Sequence, residues 1–139
     1  PMNQHRNVQF FVKLSKFIHV FPKIYNKRSM IYIWNLCEFV KRLIEEPVSE
    51  SIVFPQDKKL CGAIDIMVSI WEERQERYHL SGFLAFCVRI LLKIKICSSL
   101  NTMFMDTIYS PKISDYYDNE YCIYSLREAI RNMGTFIER

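Results

Sequence analysis

Apolar residues recur along most of this chain at the three-to-four-residue spacing of an amphipathic helix. Proline, serine and glycine interrupt that spacing at a few points. Phe10, Leu14, Phe17 and Phe21 stand at i, i+4, i+7 and i+11, with Phe11 and Ile18 widening the stripe. They predict a first helix over about 5–20, ended by Pro22. Ser29 is a fit N-cap for a second helix to about Glu46, striped by Ile33, Leu36, Cys37, Val40, Leu43 and Ile44. Lys41 with Glu45, and Arg42 with Glu46, are i,i+4 partners on its other side. Residues 47–55 carry two prolines and two serines and read as a connector.

A third helix is expected from Gln56-Asp57 onward, with Leu60, Ile64, Met67 and Trp71 on one face and Asp65, Ser69, Glu72 and Glu76 on another. Ser81-Gly82 opens a fourth over about 83–97, apolar nearly all round, which predicts a central helix covered by neighbours on several sides. A fifth covers about 100–109 and stops at Ser110-Pro111. The sixth, from about Glu120, sets Ile123, Leu126, Ile130, Met133 and Ile137 on one stripe. Strict period-2 alternation does not last, so the expected fold class is all-α, a single domain over 1–139.

The helices pair consecutively from near residues 5, 57 and 99, in units that resemble HEAT or armadillo hairpins in length. Ala63-Ile64-Asp65-Ile66-Met67 and Leu126-Arg127-Glu128-Ala129-Ile130 look like HEAT second helices. That resemblance implies a stack of antiparallel hairpins. The alternative is a globular bundle around the apolar helix 83–97, as in Bcl-2-like proteins, although the chain has no glycine-arginine groove motif.

Composition removes whole classes of function. Of 139 residues, 50% are apolar and only 3 are glycine, so the composition is not that of a disordered chain and holds no glycine-built phosphate cradle. Five cysteines (Cys37, Cys61, Cys87, Cys97, Cys122) lie in or beside apolar runs without C-x-x-C spacing. They read as buried thiols in a reducing compartment, cytoplasm or nucleus. Phe83–Cys97 is too short to span a bilayer and carries Arg89, Lys93 and Lys95. Pro1 ahead of Met2 reads as a cloning remnant and Glu138-Arg139 as a cut within a helix, so a longer parent protein is expected.

Net charge is +4 but segregated: residues 1–44 hold eight bases and one acid, while 45–77 hold eight acids and four bases. The basic patch Lys23, Lys27 and Arg28 is a candidate for nucleic acid or an acidic partner. His5, His19 and His79 are scattered, which leaves no local zinc set, and neither a metal nor a cofactor is expected. Glu72, Glu73 and Glu76 share one helical turn and read as a solvated face, with Glu73 facing Arg77 at i,i+4. No catalytic motif emerges. Trp71 and Trp34 are both expected in the core.

The segment 114–121 is too aromatic for plain solvation. Asp115, Tyr116, Tyr117, Asp118, Glu120 and Tyr121 are therefore candidate partner-binding residues, since tyrosine provides contact area at low entropic cost. The opposing reading folds Tyr117 and Tyr121 onto the core as a lid, with Asp118 or Asn119 capping the last helix. The functional expectation is a non-enzymatic, intracellular protein-binding (scaffold or adaptor) domain without cofactor or membrane span. A nucleic-acid-binding domain and a Bcl-2-like regulator are the alternatives.

Overall fold

In a computed structural model, which describes residues 3–94, 98–110 and 114–137, the chain forms six α-helices: α1 (Asn3–Ser15), α2 (Ile33–Glu45), α3 (Ala63–Glu73), α4 (Gly82–Ile94), α5 (Ser98–Phe104) and α6 (Leu126–Ile137). Two three-residue strands, β1 (Val20–Pro22) and β2 (His79–Ser81), pair in parallel with Val20 opposite His79. The fold is therefore mostly helical with a small parallel sheet, which the periodicity did not foreshadow. Cys97, Lys95 and the chain ends, where a helix terminus, a cloning remnant and a cut were expected, lie outside the described residues.

Among the described residues the helices show no stack of successive hairpins. α3 is the centre: it packs against α1 on one side and α6 on the other. Ala63, Ile64, Ile66, Met67, Ile70 and Trp71 are all buried, so two adjacent rows of this helix are covered. Trp71 meets Phe21 edge-on and stacks on Tyr78 at 5.2 Å. The expected face through Ile64, Met67 and Trp71 is the one observed.

Helix boundaries move where side chains from elsewhere claim the backbone. α1 stops at Ser15 because its hydroxyl donates to Val12 O (2.9 Å) and accepts from Arg74 (2.8 Å), while Trp71 Nε1 donates to Ser15 O (3.4 Å). The buried row is Phe11, Val12 and Ser15, and Phe10 and Phe17 are exposed. α2 begins at Ile33, not Ser29. Ser29 instead accepts from Tyr109 N (2.9 Å), and Asp57 holds residues 30–32 extended by accepting from Tyr32 N and donating its own N–H to Met30 O. Phe39 and Asn35 are buried there, whereas Trp34 is 51% exposed, so it is not a core residue.

α3 starts at Ala63, six residues later than the apolar spacing implies. Gly62 is its N-cap and has no side chain to offer, so Asn26 supplies one: its Oδ1 accepts from Ala63 N at 3.0 Å. Asp65 then accepts from Gly62 N at 2.7 Å. A Cβ on Gly62 would stand 2.1 Å from Asn26 O, a close approach that only glycine permits. Ser125 opens α6, exchanging hydrogen bonds with Glu128 in a capping box, so Ile123 precedes the helix and is exposed.

The largest departure concerns α4. Ala85 is buried, and Val88 and Leu92 pack on the same core, with β1 and α5 as the helix's neighbours. Among the described residues nothing covers the opposite side, where Phe83, Phe86, Ile90 and Ile94 are exposed. Over its described residues this helix is peripheral and not the covered centre that the apolar run 83–97 implies.

Candidate functional site

The tyrosine-rich segment forms a second, smaller core. Tyr116 and Tyr121 are buried against Phe39 of α2, with ring centroids 5.5 and 5.0 Å away. Tyr117 is half-buried beside the same ring, and its hydroxyl donates to Glu46 O at 2.5 Å. Tyr121 donates to Gln56 O (2.8 Å) and accepts from Gln56 N (3.3 Å), and burial pushes its phenol up to about 12. Tyr116 and Tyr121 are thus turned inward onto Phe39 and Tyr117 packs beside them, as the lid alternative has it for Tyr117 and Tyr121. The cap on α6 is Ser125, not Asp118 or Asn119.

Backbone strain collects at this turn. Tyr117, Asp118 and Asn119 have φ of 52°, 51° and 58°, three successive left-handed residues without a glycine. Each such residue costs roughly 1–2 kcal/mol, less for Asp and Asn. The surroundings hold it: Asn119 donates to Asp115 at 2.9 Å, and Arg42 pairs with Glu120 at 2.8 Å. Asp115 and Glu120 are spent on these local partners, although they remain exposed with Asp118. On α2 and its C-cap beside them, Glu38, Lys41, Arg42, Glu45 and Glu46 line a shallow depression of about 190 Å³.

The basic residues Lys23 and Lys27 are exposed and Arg28 is half-buried. Their backbone is bound on both sides: Arg28 bridges Cys61, and Lys27 accepts from Thr107 N at 2.9 Å and donates to Asp106 at 2.7 Å. Lys23 N donates to Ser81 O at 3.1 Å, which places Lys23 beside the residue that opens α4.

The acidic turn at the end of α3 reaches solvent, as expected, but its carboxylates are paired. Glu72 pairs with Arg127 of α6, and Glu73 grips Arg131 through both oxygens, at 2.7 and 3.3 Å. The Arg131 hydrogen bond holds the Glu73 carboxyl below its ordinary range. Glu76 faces His19 at 3.6 Å. Glu72 and Glu73 thus link α3 to α6 through exposed ion pairs, which add little to stability. Cys61 is buried, and its thiol is pushed up to about 12 by desolvation and then by the Asp65 and Asp57 charges, which makes it a poor nucleophile at neutral pH. Cys37, by contrast, is exposed. Among the described residues no group of His, Cys, Asp and Glu could hold a metal ion, and no helix is long and apolar enough to cross a membrane.

What the sequence reading missed is the outer face of α4. Phe83, Phe86, Ile90 and Ile94 stand at i, i+3, i+7 and i+11 and are 74%, 62%, 42% and 57% exposed. They form one row along the helix, opposite the inward row Ala85, Val88 and Leu92. The signal was the all-round apolarity of the helix, which fits a helix with an apolar face to spare as well as a surrounded one. Singly exposed apolar residues are ordinary, but here four stand in one aligned row on the solvent side of a helix.

Comparison with protein-family models, curated proteins and solved structures finds no match to this chain.

Proposed function

We propose that this domain is a non-enzymatic protein-interaction module, an adaptor or scaffold element that docks a protein partner on the outer face of α4. The observation that carries the reading is the row Phe83, Phe86, Ile90 and Ile94, presented on a helix whose other side is fixed to the core. A rigid mount costs little ordering on binding, and large aromatic side chains are the usual anchors of an interface. Four free thiols, Cys37, Cys61, Cys87 and Cys122, fit a reducing compartment, cytoplasm or nucleus. The tyrosine segment 114–121 passes from contact surface to structural support in this reading.

The test is a photo-crosslinking amino acid placed at position 86 in cells, with position 25 as the exposed control. Discrete protein adducts from 86, absent from 25 and lost with Ile90→Asp, are expected. Illumination that yields no protein adduct at 86 refutes the reading. A second reading, nucleic-acid binding, draws on the exposed Lys23 and Lys27. It requires an oligonucleotide affinity that falls steeply with salt and drops on neutralising those two lysines.

A further inference from the structure

Resting on the protein-binding reading, we infer that the α4 face takes an acidic amphipathic helix, with its carboxylates set along one edge of its apolar stripe. The apolar row fixes the shape of the occupant. Phe83 to Ile94 spans three turns, about 16 Å at 1.5 Å per residue, and a helix laid along it would present its own i, i+3/i+4, i+7 anchors.

Charge fixes the chemistry. Arg89 and Lys93, at i and i+4, occupy one edge of the outer row, both exposed. Among the described residues neither has a carboxylate within ion-pairing distance. From Arg77 to Met105 the chain contains no Asp or Glu, so no acid on α4 or on the segments flanking it neutralises them. Lys23 adds a further exposed base at the end where α4 begins. The opposite edge is Leu84, Cys87 and Leu91, without charge. An apolar stripe with cations along one edge selects an occupant with anions along the matching edge, and the asymmetry orients it.

The same edge argues against two other occupants. A second copy of this chain docked α4 to α4 would juxtapose cations with no acid on either helix. A helix that lies in a lipid surface needs bases along its whole polar side, whereas here one edge is apolar and the side between the edges is packed on the core.

The experiment is selection from a display library of amphipathic 18-residue helices whose edge positions are randomised over Glu, Gln and Lys. Enrichment of Glu at two positions one turn apart on a single edge is expected. Against the Arg89→Glu, Lys93→Glu double variant, the same library should enrich Lys instead, and the original winners should lose at least about tenfold in affinity at low salt. Phe86→Asp should abolish both selections. Enrichment that ignores edge charge, or no enrichment at all, overturns the acidic partner while leaving the crosslinking result at position 86 to decide whether a protein docks there. Concentration-dependent self-association lost with Phe86→Asp, or binding to vesicles containing phosphatidylserine in preference to every peptide, replaces the acidic helix with a second copy or a lipid surface and overturns the inference.

Discussion

α3 and α4 are both more apolar than one buried face requires, yet one lies at the centre and the other at the edge. Seven of the eleven residues of α3 are apolar, and ten of the thirteen of α4. Apolarity alone would put α4 inside. The polar residues decide otherwise. Asp65 is absorbed by its own helix start, and Glu72 and Glu73 meet Arg127 and Arg131 of α6, so α3 can be surrounded without stranding a charge. Among the described residues Arg89 and Lys93 meet no carboxylate, and burying an unpaired cation costs several kcal/mol. The edge that carries them stays in water, and with it the row from Phe83 to Ile94. A helix goes to the middle when its polar groups have somewhere to go.

The comparison breaks most sharply at Trp71. Emptying that site removes the contacts to Phe21 and Tyr78 and the hydrogen bond that holds the end of α1. Trp71→Ala is expected to cost about 3–5 kcal/mol in chemical denaturation. A loss under about 1 kcal/mol, the level of a surface substitution, would mean that α3 is not the centre.

Gly62→Ala comes next. The added methyl meets a backbone oxygen, not a flexible side-chain end, so the lead into α3 must shift or the Asn26 cap must break. A cost of about 1–3 kcal/mol is expected, as for other overpacked sites. Asn26→Ala should cost a comparable amount by removing the acceptor for Ala63 N and the donor to Met103 O and Met105 O. Ordinary thermal melts of the two variants, compared with the parent, are enough to see either effect.

Much of this was legible. The third helix and its face followed from Ile64, Met67 and Trp71 at helical spacing, as did the opening of the fourth at Ser81, whose hydroxyl accepts from Leu84 N. The start of α6 was written in Ser125-Leu126-Arg127-Glu128, a capping-box spacing that the apolar stripe through Ile123 obscured. Other boundaries were not readable locally. α1 ends where Arg74 and Trp71 reach Ser15, and α3 begins where Asn26 can stand in for the missing cap of Gly62. Partners 37 to 59 residues away leave no trace in a local pattern. The outer face of α4 was visible as apolar positions, but its exposure depends on what fails to cover it.

A smaller effect tests the rule that charge placement governs position. Asp57 is a partly buried carboxylate, held by Asn35 (2.7 Å) and Tyr32 N (3.1 Å), and desolvation raises its pKa despite those bonds. The folded state then keeps its proton to higher pH than the unfolded state does. Stability from this group is complete below the ordinary carboxylate value near 4 and falls as pH rises to the raised value. Glu73 and Glu128, lowered by the Arg131 hydrogen bond and by Ser125, act in the other direction, with stability lost as pH falls below the ordinary range. Denaturation curves from pH 4 upward should show the decline in the parent and its loss in Asp57→Asn. A parent whose stability rises across that window would contradict the raised value.

The least change is expected at α4, and it bears hardest on the functional reading. Phe86 is mostly in water, so Phe86→Ala removes little packing and replaces an aromatic residue by a better helix former. The two effects oppose each other, and the net shift should stay within about 0.5 kcal/mol. Phe83→Ala should behave alike. Ala85, one residue before Phe86 and buried, provides the internal control: Ala85→Leu forces new volume into the contact with the core and should cost about 1–3 kcal/mol. The pair of measurements separates a helix with one face free from a helix covered all round. Were Phe86→Ala to cost as much as Ala85→Leu in the isolated domain, the outer row would already be packed within this chain, and no face of α4 would remain for a partner.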